Sequence, residues 1–341
     1  MTHPSFSNET GKAPELVRYR IDHLTAYDYS QNVSISHHVA RLRPISGNGQ
    51  KLIDFRLTSN PAPTQLESDS DYFGNAVERF SIQEPHDRLE VVAFSEVEVS
   101  AAIPIVEGIG PAWEQVRASL AKDRSPTGLA AYECSFPSDM IPVGPEFADY
   151  AAASFSAERP VLEAALALTL QIHGDFKFDP TATTVATPVS EVLAKRRGVC
   201  QDFAHLQIAC LRSLGIPARY VSGYVRTDPP PGQKRLVGVD ATHAWVSVYC
   251  PGIGWVEFDP TNKRIAGDTH VRVAYGRDFG DVSPLRGTVI GGGWQQLSIA
   301  VTVQPTDELE VPAPVPSQSQ VMSQSQGGGQ SQTSMSQNQN S

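Results

Sequence analysis

The feature that most constrains the fold is a change of hydrophobic period along the chain. From about Leu16 to Ile105, runs such as YRIDHLTAYDYS and LEVVAFSEVEVS alternate polar and apolar residues and are separated by turns. Such period-2 runs predict strands with one buried face. Beyond about residue 146, apolar residues recur at helical spacing, as in ERPVLEAALALTLQIHGDF, which predicts amphipathic helices. Strands followed by a mixed region predict an α+β chain that begins with an antiparallel β domain.

The same pattern divides the chain into five segments. We predict a flexible N-terminus at 1–15, an N-terminal β domain at 16–105, a connecting segment with one helical candidate at 106–145, a second domain at 146–304, and a tail at 305–341. The tail is rich in Ser, Gln and Gly and has few apolar side chains. Such a segment cannot bury enough apolar surface to offset the entropy of ordering it, so the tail is expected to be disordered.

Composition and charge exclude several classes of protein. The 341 residues are 40% hydrophobic and 19% charged, which is typical of a soluble globular chain. The formal net charge is −10, so neither nucleic acid nor a membrane surface is expected as a partner. The N-terminus lacks the apolar segment of a signal peptide, and no stretch approaches the roughly 18 apolar residues of a membrane span. A cytoplasmic location is therefore expected.

The cysteine pattern directs attention to one thiol. Four cysteines are too few for a disulfide framework in a chain of this length and form no C-x-x-C pair: Cys134, Cys200, Cys210 and Cys250. Structural zinc is not expected, and no cofactor is predicted.

Cys200 follows a glycine and begins the helical pattern CQDFAHLQIACLRS, which ends at GIP. In the first turn of a helix, unpaired N–H groups and the positive end of the macrodipole favour an anion such as a thiolate, and they can also hold an oxyanion. A lone buried cysteine is more often a small apolar core residue, which is what we expect of Cys210. The helix position alone therefore does not make Cys200 a nucleophile.

The segment ATHAWVSVYCPGIGWVEFDPTN supplies a base and a carboxylate. Two β-type runs flank the turn CPGIG, which predicts a hairpin. A turn centred on Pro251 places His243 directly opposite Asp259, and one centred on Gly252 makes them diagonal neighbours on one face; a centre halfway between places them on opposite faces. In the first two registers, these residues and Cys200 form the nucleophile, base and orienter of thiol acyl-transfer enzymes.

The residues around this set receive separate predictions. His205 lies about 140° round the helix from Cys200 and is expected to be structural, as is His270 at the end of an element. A zinc site made of Cys200, His205 and His243 is rejected because the spacing matches no common ligand pattern. Asp202 is expected to bind helix-start N–H groups. The candidates for an oxyanion hole or pocket are Gln201, Tyr220, Tyr224 and Trp245.

Several segments carry a family resemblance. GVCQDFAHLQIACLRSLGIPARYVSGY, DATHAWVSVYCPGIGWVEFDPTN and HVRVAYGRDFGDVSPLRG resemble the bacterial transglutaminase-like proteins, and YRIDHLTAYDYS and DYFGNAVERF resemble their N-terminal β domain. The resemblance implies a papain-like catalytic core at 146–304, in which the cysteine helix packs on an antiparallel sheet. It also implies Cys200 as nucleophile, His243 as base and Asp259 as carboxylate partner, with no obligatory metal. Calcium sites known in animal transglutaminases have no visible counterpart.

The expected activity is cysteine-dependent acyl transfer on a peptide or glutamine-type amide through a thioester. The triad does not decide whether water or an amine resolves the thioester, so both a peptidase or amidase and a transamidase stay open. The alternatives are a catalytically idle peptide-binding module and a scaffolding protein. A peptide or protein amide is the expected partner, with an amine acceptor in the transamidase version, and the oligomeric state is not indicated.

Overall fold

The computed structural model describes residues 16–101, 108–227, 242–306 and 333–336. The strands are β1 (Leu16–Ala40), β2 (Gln50–Asn60), β3 (Gln65–Ser70), β4 (Ala76–Ile82), β5 (His86–Ser100), β6 (Lys177–Phe178), β7 (Arg197–Gly198), β8 (Ala218–Val225), β9 (Thr242–Cys250), β10 (Gly254–Asp259), β11 (Arg264–Ile265), β12 (His270–Gly276), β13 (Leu285–Gly291), β14 (Gln295–Pro305) and β15 (Thr333–Ser336). The helices are α1 (Trp113–Leu120), α2 (Pro126–Glu133), α3 (Pro145–Ala151), α4 (Val161–Asp175), α5 (Val189–Lys195), α6 (Cys200–Ser213) and α7 (Phe279–Val282).

The N-terminal sheet is organised around β1, which has 25 residues. Its first half pairs with β5 and β14, and its second half pairs with β4 and β13, all antiparallel. The register shifts between Asp28 and Val33, where the strand passes from one set of partners to the other. Apolar side chains from both halves form one buried cluster that includes Tyr27, Val33 and Leu89. Alternation of buried and exposed positions along these strands confirms the antiparallel β domain predicted from the sequence.

The second sheet is antiparallel and has the order β11–β10–β9–β8–β12. Helix α6 packs against β8 and β9, and every residue from Cys200 to Arg212 is buried. A helix buried on all sides can be apolar on all sides, which accounts for the small and apolar residues along it. The helix ends as expected at Gly215, whose φ of +75° lies in the left-handed region that glycine adopts without strain. An α+β fold with the cysteine helix on an antiparallel sheet is thus confirmed.

The N-terminal sheet region also binds the edge of the second sheet. The Asn75 side-chain amide donates to the carbonyl of Tyr275 at 2.7 Å and accepts from its N–H at 2.8 Å. The Gln50 side-chain amide pairs in the same way with both backbone groups of Arg272, at 2.8 Å each. Two buried side-chain amides therefore replace the missing neighbour strand of β12 and fix its position.

Strands β13 and β14 belong to the N-terminal sheet and not to the second domain in which the sequence analysis placed them. The sequence grouped residues 285–304 with the second domain, whereas the structure pairs β13 and β14 with β1. The hydrophobic alternation that predicted these strands carries no information about which distant strand they join. The predicted connecting segment contributes α1 and α2, whose Val116, Leu120 and Ala131 belong to the core around α6.

The predicted tail is described at two places, at its start (residues 305 and 306) and at residues 333–336. The four tail residues Thr333–Ser336 form strand β15. This strand pairs antiparallel with Arg286 to Val289 of β13. The other residues of the predicted tail from 307 onward, and the predicted flexible N-terminus at 1–15, lie outside the described residues. No described helix is both long and apolar enough to span a membrane.

Loss of the Asn75 amide is expected to destabilise the fold. Asn75→Ala leaves the buried N–H and C=O of Tyr275 without their partners, so we expect the free energy of unfolding to fall by about 1–3 kcal/mol. Chemical unfolding followed by circular dichroism measures this change. Gln65→Ala, at an exposed position of β3, serves as the control and should change the free energy by no more than about 0.5 kcal/mol. Equal effects of both substitutions would show that the hydrogen bonds between Asn75 and Tyr275 do not stabilise the fold.

Candidate active site

The start of α6 is built around the buried carboxylate of Asp202. Its Oδ2 accepts the backbone N–H of Val199 at 2.8 Å and the hydroxyl of Thr183 at 2.6 Å. Gly198 makes this possible, because a Cβ there would lie 2.5 Å from the same Oδ2. Burial raises the pKa of Asp202, and the two hydrogen bonds oppose that rise. The predicted role of Asp202 at the helix start is confirmed, and it holds the backbone next to Cys200.

The side chain of Cys200 lies against the imidazole of His243, with which it forms a hydrogen bond. The Nε2 of His243 lies 2.8 Å from Oδ2 of Asp259, which leaves Nδ1 as the ring nitrogen for the sulfur. Both residues are largely shielded from solvent, with Cys200 1% and His243 5% exposed. The three residues predicted from the sequence therefore form one continuous chain of contacts at the N-terminus of α6.

The register of the β9–β10 hairpin explains how His243 and Asp259 meet. Trp255 pairs with Tyr249 and Phe258 with Val246, which centres the turn on Gly252. Asp259 therefore lies diagonally across from His243 on the same face of the sheet, the second of the registers considered from the sequence. Gly252 has a φ of +82°, a conformation that glycine supplies in a tight turn.

Asp259 is fully buried and receives five donors among the described residues. Its Oδ1 accepts the backbone N–H groups of Thr261 at 2.9 Å and Asn262 at 3.1 Å. Its Oδ2 accepts from His243, from the Asn262 amide at 2.7 Å, and from Nε2 of His270 at 3.0 Å. Hydrogen bonds to the charged form of a carboxylate stabilise that form. The carboxylate is thus held both in position and in its ionised state.

The pKa shifts of this pair follow from burial and charge. Burial alone would lower the pKa of His243, but the charge and hydrogen bond of Asp259, with a smaller contribution from Cys200, outweigh it and raise that pKa to about 10. Burial alone would raise the pKa of Asp259, but the charge of His243 and the hydrogen bonds of both histidines hold it well below its ordinary value. At neutral pH the pair is an imidazolium and a carboxylate.

Two of the predicted pocket residues lie beside Cys200. Gln201 is buried, its amide N–H lies 3.5 Å from the carbonyl of Val185, and its Oε1 has no partner among the described residues. Tyr220 is fully buried; burial, together with the charges of Cys200, Asp202 and Asp278, raises the pKa of its phenol well above the ordinary value. Tyr220 therefore presents a neutral O–H group close to Cys200.

The polar groups of the other two pocket candidates are bound to other residues. The indole N–H of Trp245 donates to Glu257 at 2.8 Å, and its ring stacks on His243 with centroids 5.9 Å apart. Trp245 therefore packs against the imidazole of His243. Its indole N–H is bound to Glu257 and does not donate to an oxyanion. The hydroxyl of Tyr224 lies 2.9 Å from Nδ1 of His23 in β1. Tyr224 thus joins the second sheet to the N-terminal sheet through this buried hydrogen bond.

The two histidine predictions agree with the structure, which adds one contact. His205 accepts the backbone N–H of Phe279 at 3.2 Å and lies in the core, as expected of a structural residue. His270 is the first residue of β12, as expected of an element end, and it also binds Asp259, which was not predicted. The sequence signal for Asn262 was available, since Asp followed two and three residues later by N–H donors is typical of an Asx turn. His270 had no such signal, because its contact depends on the path of β12.

One group of potential metal ligands lies within the described part of the chain. Ligand atoms of His243, Asp259 and His270 all lie within 4.8 Å of one another. The hydrogen bonds from both Nε2 atoms to Oδ2 already account for this closeness. The donor set is therefore explained as a buried charge pair with a second histidine.

Two family models match the chain. The model described as the bacterial transglutaminase-like N-terminal region matches residues 19–98, and the transglutaminase-like superfamily model matches residues 148–260. The second range includes Cys200, His243 and Asp259. Each match falls where the sequence resemblance placed it.

Individual relatives are similar to different extents. The uncharacterised protein Rv2569c of Mycobacterium tuberculosis is 42% identical over 284 residues, which cover 80% of this chain and 87% of that protein. A protein-glutamine gamma-glutamyltransferase of Pseudomonas aeruginosa is 35% identical over 103 residues, 28% of this chain and 15% of the enzyme. The crystal structure of a candidate cysteine protease from Cytophaga hutchinsonii has a TM-score of 0.66 and 21% identity, and the match covers 89% of this chain and 96% of the other. That structure shares the fold.

The ion pair predicts a pH-dependent stability. Because the pKa of His243 rises from 6.5 to about 10, protonation of His243 contributes its full stabilisation below about pH 6.5, and this stabilisation is lost as the pH rises towards 10. Because the pKa of Asp259 is depressed, the stabilisation is also lost when the pH falls through that depressed value, below about pH 4.

Asp259→Asn should therefore flatten the alkaline decline of the free energy of unfolding, measured by chemical unfolding at several pH values. Asp179→Asn is the control, since the hydrogen bonds of Asp179 come from Thr181 and none comes from a histidine. An unchanged alkaline decline in Asp259→Asn would show that the pair does not titrate in this way.

Proposed function

The chain belongs to the transglutaminase-like superfamily, and on that premise we propose that it is an enzyme that transfers acyl groups from peptide or glutamine-type amides through a thioester on Cys200. The fold is one that supports cysteine-based catalysis. The observation that carries the proposal is the buried chain from Cys200 through His243 to Asp259 at the start of α6. A nucleophile, a base and an orienter in this order are what thiol acyl transfer requires.

In the proposed reaction, the Cys200 thiolate attacks the amide carbonyl and forms a C–S bond. The carbonyl electrons move to oxygen, and the resulting oxyanion is held by N–H groups of the first turn of α6. Collapse of this intermediate breaks the C–N bond, and His243 gives its proton to the departing amine. Asp259 fixes the ring and stabilises the imidazolium in the states where it is charged.

Two side chains beside Cys200 are proposed to complete the site. The neutral hydroxyl of Tyr220 is a second candidate donor to the oxyanion, since it lies close enough to Cys200 for its pKa to respond to the thiol's charge. Gln201 places an amide with an unpartnered Oε1 next to Cys200 in the chain, which suits contact with an N–H of the substrate.

Transamidation is the version that we favour over hydrolysis. Cys200 and His243 are 1% and 5% exposed, and a site that restricts water lengthens the lifetime of a thioester so that an amine can compete. Similarity to a segment of a protein-glutamine gamma-glutamyltransferase supports the same version. In that case glutamine side chains are the acyl donors and primary amines the acceptors.

Incubation with a mixture of glutamine-containing peptides and a biotin-labelled primary amine tests this proposal. Mass spectrometry should find the amine joined to glutamine, whereas conversion of glutamine to glutamate or cleavage of the peptide would identify a hydrolase. Cys200→Ala and His243→Ala should each reduce any of these products by about a thousandfold or more, because members of such a triad act as a unit.

Cys134→Ala is the matched control, since Cys134 is another buried free cysteine. It should leave product formation within about twofold of the parent. Full product formation in Cys200→Ala would overturn the proposed function. A bound peptide that is never modified would instead favour a peptide-binding module.

A further inference from the structure

The hydrogen-bonded chain that begins at Cys200 continues beyond Asp259. Nε2 of His270 lies 3.0 Å from the same Oδ2 that binds His243, and both His270 and Asp259 are fully buried. The proposed reaction uses His243 and leaves His270 without a task. A buried polar side chain directed at the carboxylate of a catalytic set therefore calls for its own explanation.

The environment of His270 fixes its tautomer. The backbone N–H of Gly267 donates to Nδ1 at 3.4 Å, and the hydroxyl of Thr269 lies 3.1 Å from the same nitrogen. A backbone N–H can only donate, so Nδ1 is an acceptor and the ring proton is on Nε2. Nε2–H then donates to Asp259. The neutral ring can make this hydrogen bond, so His270 need not be protonated.

The charged neighbours keep His270 neutral while His243 is charged. Burial lowers the pKa of His270, the charge of His243 lowers it further, and Asp259 and Glu257 oppose these effects without reversing them. Glu257 is itself paired with Arg272 at 2.8 Å. The two histidines on one carboxylate thus differ in charge, one imidazolium and one imidazole.

Packing holds the ring of His270 in this orientation. The Trp245 ring contacts it edge to face, with centroids 5.2 Å apart, and the same indole stacks on His243. Behind it, the side-chain amides of Gln50 and Asn75 fix β12. Packing and the hydrogen bonds at Nδ1 therefore keep Nε2 of His270 directed at Asp259.

We propose that His270 is a positioning residue that orients the Asp259 carboxylate towards His243. This inference rests on the proposed function, since it assigns a part of the same site. The backbone N–H groups of Thr261 and Asn262 hold only Oδ1, whereas His270 and the side-chain amide of Asn262 hold Oδ2, the oxygen that His243 uses. Loss of His270 leaves the Asn262 amide as the one other described donor to Oδ2, so the carboxylate is held less firmly towards His243 and stabilises its imidazolium less.

Three substitutions at His270 separate positioning from structural support. His270→Gln keeps an N–H donor at about the distance of Nε2, His270→Asn carries the same amide one methylene short of it, and His270→Leu removes the donor. His205→Leu is the matched control, because His205 is another buried histidine with one backbone hydrogen bond in the same core. Thermal unfolding identifies the variants that fold.

The measurement is the rate of Cys200 alkylation by iodoacetamide, resolved by site with mass spectrometry, at about pH 6 and about pH 10. At about pH 10 most cysteines are ionised, so this rate reports access, and the ratio of the two rates reports the thiolate that the pair maintains. We expect His270→Asn and His270→Leu to lower this ratio about tenfold. His270→Gln and His205→Leu should stay within about threefold of the parent.

The possible outcomes distinguish the two proposals. If Cys200 in the parent reacts no faster than Cys134 at about pH 6, the proposed function fails whatever the His270 variants do. If Cys200 is faster and the ratio is unchanged in folded His270→Asn, the positioning role is wrong and the proposed function stands. If His270→Leu does not fold, the Asn and Gln pair decides, and a loss in Asn with rescue by Gln supports the assignment.

Discussion

The carboxylate of Asp259 is the group on which the rest of the site depends. Removing an ion from water costs on the order of several kcal/mol unless partners replace the lost hydration. Here five donors do so, from the turn after β10, from His243 and from His270. The donors come from three parts of the local structure, so the hairpin, the turn and β12 must all be in place before the charge can be buried.

The N-terminal β domain takes part in this requirement. Its Gln50 and Asn75 amides bind the backbone of β12, and His23 binds Tyr224 in β8. These contacts are buried and polar, and unpaired groups at such places are costly. The two sheets are therefore coupled through hydrogen bonds close to the candidate site, which gives the first domain a physical role in keeping the second one ordered.

Electrostatics at the site favour a charged pair over neutral groups. Asp259 raises the pKa of His243 to about 10, so the imidazolium persists at neutral pH. Trp245 and the Glu257–Arg272 pair form the layer behind it. Because these side chains are bound to one another and pack against the imidazole, the ring of His243 has little freedom to leave the geometry that acyl transfer needs.

The sequence by itself determined the α+β order of elements, the start of α6 at Cys200 and the hairpin that brings His243 to Asp259. These depend on local signals, such as hydrophobic period, a left-handed glycine and a turn a few residues long. It did not determine which of the considered registers that hairpin adopts, the pairing of β13 and β14 with β1, the commitment of Trp245 and Tyr224 to other partners, or the contact of His270 with Asp259. Strand β12 is separated from β10 by β9 and β8, a distance of about 14 Å in a flat sheet, so that contact requires the sheet to curl. Curvature and long-range pairing arise from packing of the whole chain, which is why only the tertiary structure decided them.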